Sequence, residues 1–294
     1  MATPLLGLKW QIFDDFPAAL GESPVWDDRR NCLWWIESRS GSILRRDLDS
    51  SGMRTERSFG RRIGSIGLTE YGRIVIAFSQ SVAIWNPESD DLAPLCDLTL
   101  GANEILNDGK TGPDGTFWVG SKGRDADGQG TGRLFRICGA GSITVHADGL
   151  ITSNGLAWSF DNRAMFLSDS KGEWIDRFDF DRTPGVPSHR KRMREGADEA
   201  FGRPDGAATD QDDTYWSCGV SAGRVNRFTR DGDLIEHLPT PIAAPTMVCF
   251  GGNDLQTVFL TSLRGKNASK HCGKVFSAKI DVAGVPLARF RESA

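Results

Sequence analysis

Apolar residues along this chain come in runs of four to six, each closed by Gly, Asp, Asn or Pro. That spacing predicts short strands joined by turns, since turn residues supply the backbone conformations that strands cannot. Apolar positions almost never recur at helical spacing, so helices are not expected. The runs also repeat. Six segments share one layout: Cys32-Leu33-Trp34-Trp35-Ile36, Arg73-Ile74-Val75-Ile76-Ala77, Thr116-Phe117-Trp118-Val119-Gly120, Ala164-Met165-Phe166-Leu167-Ser168, Thr214-Tyr215-Trp216-Ser217-Cys218 and Thr257-Val258-Phe259-Leu260-Thr261. A polar turn precedes each, as in Asp27-Asp28-Arg29, Pro113-Asp114-Gly115 and Asp161-Asn162. A further strand follows, as in Ile43-Leu44-Arg45-Arg46 and Arg133-Leu134-Phe135-Arg136-Ile137. Successive turns lie about 42 to 50 residues apart, so six units account for the whole chain.

A unit of that period with about four strands is a propeller blade. The expected fold is all-β: a six-bladed β-propeller with four-stranded antiparallel blades around a central channel, forming a single domain over residues 1–294. Ring closure removes the sticky edges that a row of open sheets would leave. The Ile12-Phe13 pair is expected to complete the last blade. A pair of β-sandwiches would also be all-β but gives no reason for the regular period.

Composition narrows the class. The chain has 34 glycines and 9 tryptophans against 2 tyrosines, which suits many turns and packed strands. An apolar fraction of 39% with 25% charged residues can bury a core, unlike a disordered chain. A net charge of -4 offers no basic field for nucleic acid, and no apolar stretch is long enough to span a membrane. The first residues lack the pattern of a secretory signal. Six scattered cysteines with no C-x-x-C pair read as free thiols in a reducing cytoplasm, the expected location.

Inner strands of a propeller begin at one mouth of its channel, and the repeat shows which residues share that position. They are Gly21-Glu22-Ser23-Pro24, Gly64-Ser65-Ile66-Gly67, Asn107-Asp108-Gly109-Lys110, Ser153-Asn154-Gly155-Leu156, Pro204-Asp205-Gly206 and Pro245-Thr246-Met247. Glu22, Asn107, Asp108, Asn154 and Asp205 therefore converge on one axis from four blades. Carboxylates and amide oxygens gathered without histidine or thiolate suit a hard divalent cation, which also relieves the repulsion between like charges. Taken singly, each Asn-Gly or Asp-Gly pair reads as a turn. It is their shared repeat position that points to a metal site.

These segments, in this order and over nearly the full length, resemble the signature segments of the regucalcin (senescence marker protein)/gluconolactonase family of six-bladed propellers. The resemblance implies one divalent cation held by Glu22, Asn154 and Asp205, with Asp205 also the catalytic base. It implies that Asn107 contacts both the reacting water and the substrate, with Asp108 behind it. Members acting on gluconolactone often carry an arginine two residues before this asparagine, where Ile105 stands here. The family's acidic substrate contact falls at Asp125, and Glu104 and Arg124 are the nearby charged residues available to replace the arginine. Family members open aldono-lactones or are studied as calcium-binding proteins.

The expected activity is thus hydrolysis of an aldono-1,4- or 1,5-lactone to the aldonic acid, with a small sugar lactone as partner and a monomer or weak homo-oligomer as the assembly. The ion (Ca2+, Zn2+, Mn2+, Mg2+ or Fe2+) and the sugar are left open. The alternative is a calcium-binding propeller without significant catalysis. Hydrolysis of a phosphoester or aryl ester would call for histidine near the metal, and none of the four histidines falls at the inner-strand position. Trp26 and Trp158 are read as inter-blade core. The glycine-rich stretch 121–132 is either a lid or an exposed hairpin. Gly219-Val220-Ser221-Ala222-Gly223 matches a nucleophile elbow but joins two strands, so it is set aside. Asp125-Ala126-Asp127-Gly128 opens like an EF-hand loop but has Arg136 where the bidentate glutamate belongs. The basic run His189 to Arg194 reads as a solvated face, and Asn267-Ala268-Ser269 is a glycosylation signal only in a secreted chain.

Overall fold

The computed structural model describes residues 5, 7–48, 54–196, 198–265 and 270–293, so the Asn267-Ala268-Ser269 signal lies outside the described residues. Six four-stranded antiparallel sheets follow one another around a ring. The innermost strands are Gly21–Asp27, Ile63–Leu68, Ile105–Thr111, Ser153–Trp158, Pro204–Thr209 and Pro245–Gly251, one in each of blades 1 to 6. Every other described element is also a strand, and no helix among them is long and apolar enough to cross a membrane.

Burial falls outward across each blade, which explains the composition of successive strands. The Ile63–Leu68 and Ile74–Phe78 strands are buried at every position, whereas the outer Leu92–Asp97 strand of the same blade is mostly exposed. Strands covered on both faces read as continuous apolar runs, and those at the rim can afford charge. The basic run His189 to Arg194 belongs to the exposed outer strand Val186–Glu195, where Arg190 and Arg192 clamp Asp176 and lie over Trp174.

The core lies between neighbouring blades. Trp34 meets Trp85 edge-on at 6.0 Å between blades 1 and 2, and Trp118 meets Trp158 at 6.1 Å between blades 3 and 4. Trp26 stacks on Phe259 at 5.7 Å. Trp26 and Trp158 are therefore packing residues, as read from the sequence. Five of the six polar turns are capped by an aspartate side chain: Asp27, Asp114, Asp161, Asp210 and Asp254 each accept an amide hydrogen from two residues on, while in blade 2 Thr69 Oγ1 accepts from Arg73 N.

The ring closes as the sequence suggests. Gln11–Asp14 pairs antiparallel with Val275–Lys279, supplying the outer strand of blade 6 from the other end of the chain. The C-terminal residues then cross the far face of the ring. The amide of Val285 donates to Thr209 O (3.0 Å), that of Phe290 to Leu68 O (2.8 Å) and that of Arg291 to Gly115 O (2.8 Å), tying blades 5, 2 and 3. That face is where the inner strands end. The mouth where they begin is left for chemistry.

Candidate active site

Each inner strand carries a register irregularity at its polar position. In blade 1, Glu22 faces Ile36 and Val25 faces Trp34, so three steps on the inner strand oppose two on its neighbour. The same extra residue follows Leu106, Asn154, Pro204 and Pro245, and one lies between Ile63 and Ser65. A bulge of this kind turns the side chain at the break away from the strict alternation of the strand. The repeat position of polar residues is thus a repeat of bulges. Gly155 takes a φ of +66° there, and a Cβ on it would meet Ser168 Oγ at 2.4 Å and Tyr215 Oη at 2.5 Å. Only glycine fits.

The bulges bring Glu22, Asp108 and Asp205 within electrostatic reach of one another. Asp108, Asn154 and Asp205 are buried, and Glu22 keeps part of its surface open to the channel. Burial, and next the charge of Asp205, pushes the Glu22 carboxyl well above its ordinary range. Asp205 is pushed up by burial and next by Asp108. No side chain among the described residues hydrogen-bonds to the Glu22 carboxylate, and Asp205 accepts from the backbone amide of Gly206 with Lys122 and Arg203 as the nearby positive charges. Asp108 accepts from Leu156 N at 3.3 Å, while its Oδ1 is buried without a hydrogen bond of ordinary geometry.

Two further residues hold the amide of Asn154. Its Nδ2 donates to Ser170 Oγ (2.6 Å), and Ser170 Oγ donates onward to Pro204 O. Its Oδ1 accepts from Asn107 Nδ2 at 3.1 Å, and Asn107 Nδ2 also donates to Ser153 O at 3.0 Å. Because Ser170 takes the nitrogen side, the oxygen of Asn154 faces its polar neighbours. Below this group Lys110 spans the channel from blade 3 to blade 5, donating to Ala207 O at 2.6 Å. Burial holds its ammonium below the usual range, against the pull of Asp108. The buried Cys218 thiol is pushed up first by burial and then by Asp205 and Glu22, so it stays a thiol.

Other expected site residues fall outside this group. Asp125 is exposed at the tip of the hairpin after Phe117–Lys122, where its Oδ1 accepts from the amides of Asp127 (3.0 Å) and Gln129 (2.8 Å) and caps its own turn. Ile105 is half-buried at the start of its strand, directly opposite Lys122. Glu104 is held by Arg133 at 2.8 Å and by Ser121, so it does not replace the family's arginine, and the exposed Arg124 pairs its backbone with Gly130 across the hairpin. Ser221 sits in a turn between two strands and accepts from Arg203 N, as expected for a chance elbow match. Ser170, Arg62 and Lys122 were not singled out by sequence. Lys122 is marked only by the register that sets it against Ile105, and Ser170 and Arg62 only by their hydrogen bonds to Asn154 and Asn107.

With this geometry in place, the chain matches the family model SMP-30/Gluconolactonase/LRE-like region over residues 20–264. The chain belongs to that family. Within it, a 6-deoxy-6-sulfogluconolactonase from Pseudomonas putida is 33% identical over 275 residues, covering 91% of this chain and 94% of that one. Regucalcin from Xenopus laevis is 29% identical over 249 residues, 83% of each chain. The crystal structure of a calcium-binding protein, regucalcin, from Agrobacterium tumefaciens matches with a TM-score of 0.88 at 23% identity, covering 97% of this chain and 98% of that one, a likeness of fold. The matched span of this SMP-30/gluconolactonase-family chain runs from just before Glu22 to well past Asp205, so it takes in the whole oxygen cluster.

Proposed function

We propose that this chain is a sugar lactonase that opens an aldono-1,4- or 1,5-lactone to the aldonic acid, using one divalent cation at the channel mouth. Family membership and the lactonase among its relatives support ester hydrolysis on a sugar. The observation that carries the metal is the Glu22–Asp205 pair: two carboxylates crowded together, with burial and mutual repulsion relieved by no hydrogen-bonded cation. Among the described residues no three His, Cys, Asp or Glu side chains converge as a metal cluster. The third donor in this reading is the Asn154 amide oxygen, whose orientation Ser170 fixes.

Glu22, Asn154 and Asp205 would hold the cation, and Asp108 and Lys110 lie beneath them. When bound, a divalent ion polarises the lactone carbonyl and acidifies a nearby water. Asp205, as a carboxylate beside that water in this reading, would act as the general base. The water oxygen would bond to the carbonyl carbon as Asp205 takes its proton. The ring C–O bond would break with that proton passing to the ring oxygen, which leaves as a hydroxyl, and the new carboxylic acid then ionises to solvent. Asn107 orients the reacting groups from blade 3, and Ile105 borders the lactone on the same side, with Asp125 beyond it at the tip of its hairpin.

The test is proton release from a panel of aldono-lactones in weak buffer, with spontaneous opening subtracted. The protein is assayed stripped of metal and after each divalent ion is restored. Metal-dependent release that disappears in Asp205→Ala is expected. Tight metal binding with no release from any lactone would instead leave a calcium-binding protein that uses the same oxygens.

A further inference from the structure

Three cations, Arg39, Arg62 and Lys122, stand at the same mouth and form no ion pair among the described residues. Arg39 and Arg62 are brought together by a stitch between blades 1 and 2, in which Ser38 Oγ donates to Ile63 O (2.6 Å) and Ile63 N donates to Ser38 O (3.1 Å). Arg62 reaches over Asn107, with Nη2 at 3.4 Å from Oδ1, and its Nε is buried without a partner. Lys122 ends the Phe117–Lys122 strand opposite Ile105, at the start of the strand that carries Asn107. Its ammonium makes no hydrogen bond or ion pair with any described residue. Burial, and next Arg62, lowers Lys122 to about 8 against the pull of Glu22 and Asp205, with Arg39 adding a smaller push; burial also lowers Arg62, against Glu22 and with Arg39. Arg203, just before the inner strand of blade 5, adds a fourth charge near Asp205.

The neighbouring acids are already committed. Glu37 accepts from the amides of Leu20 (2.9 Å) and Ser40 (2.6 Å), Glu104 is paired with Arg133, and Asp125 caps its own turn. Glu22 and Asp205 attract Lys122, but these are the proposed ligands, and a divalent ion would cancel their charge. Arg62 and Lys122, held at a cost beside Arg39 and next to carboxylates that a bound divalent ion would neutralise, are placed to take up an outside anion.

We infer that Arg62 and Lys122, with Arg39 at the rim, bind an anionic substituent of the substrate, so that the preferred lactone carries a sulfonate, phosphate or carboxylate on the part of the sugar away from the reacting carbonyl. Guanidinium and ammonium donors gathered at one mouth can make charge-assisted hydrogen bonds to such a group, which a neutral hydroxyl answers weakly. The inference rests on the lactonase reading for its substrate and on the cation cluster alone for its anion.

The experiment compares kcat/KM for four lactones of one sugar, bearing a terminal hydroxyl, carboxylate, phosphate or sulfonate. The wild type, Lys122→Met, Lys122→Arg and Arg62→Gln are each assayed at low and high salt. A preference for at least one anionic lactone is expected. It should fall on the order of tenfold in Lys122→Met and in Arg62→Gln, persist in Lys122→Arg, and weaken with salt. In parallel, calorimetry measures binding of the corresponding open-chain acids, with and without the second anionic group, to the same proteins. Equal kcat/KM for all four lactones, unchanged by the variants, would overturn the anion site while leaving the lactonase intact. If no lactone is turned over, calorimetry still decides: tighter binding of the doubly anionic acids that is lost in Lys122→Met upholds the anion site, and equal binding overturns it.

Discussion

Ser170 carries no charge, yet it decides which atom Asn154 presents. Without its hydroxyl the amide is free to turn, and Pro204 O loses its donor. Ser170→Ala is expected to weaken divalent-metal affinity by roughly 10- to 100-fold with a far smaller loss of stability, because residues behind a ligand tune it at about that scale. Metal titration followed by calorimetry checks this, and unchanged affinity would show that Asn154 is not a ligand. Lys122 makes the opposite trade. Its folded-state pKa of about 8 lies below the ordinary lysine value, so between the two the unfolded chain binds the proton and the folded one does not. The penalty for holding its charge is therefore complete below about pH 8 and disappears as pH rises towards about 10.4. Metal-free Lys122→Met should be more stable than wild type at pH 7 by about 1–2 kcal/mol after allowance for solvent screening, with the gap closing above about pH 10. Denaturant unfolding across that range reads it directly.

At the scale of the strand, the deciding feature is the bulge. The period and the polar residue at each inner-strand start were legible in the sequence, because strands and turns are local patterns and six copies reinforce one another. Glu22, Asn107, Asp108, Asn154 and Asp205 could be aligned for that reason. The bulge itself was not legible, since an extra residue in one strand is visible only against its partner. The cation cluster was hidden for the same reason: Arg39, Arg62 and Lys122 come from separate blades and loops, and their proximity depends on one stitch and one register pair. Asp125 shows the converse limit, since its place in the sequence suits a substrate contact while its side chain closes its own turn. Gly155→Ala tests the bulge. A methyl there strains a left-handed residue and collides with Ser168 and Tyr215, so a loss of about 2–4 kcal/mol is expected, together with weaker metal binding as Asn154 is displaced. Thermal unfolding and metal titration of the one variant measure both, and a stable variant with full affinity would refute the role of the bulge.

The whole ring separates stability from chemistry by placing them at opposite ends of the channel. The C-terminal residues seal the face where inner strands end, and Phe290 is fully buried there among Val75, Phe117 and Phe135. Phe290→Ala is expected to cost about 3–5 kcal/mol and lower the melting temperature by roughly 10 °C, while metal affinity at the other mouth stays within a factor of about two. A parallel fall in affinity would mean that the two ends are coupled. At the open mouth, residues from blades 1, 3, 4 and 5 meet only because the ring closes, with the Gln11–Asp14 strand completing blade 6. The central claim is that one divalent ion held by this crown of oxygens drives lactone opening. Its most direct test is to titrate a divalent ion into metal-stripped protein while following lactone hydrolysis. Activity should climb from background in proportion to added metal and level off at one equivalent per chain. Full activity in the stripped protein, or none at saturating metal with every lactone offered, would contradict it.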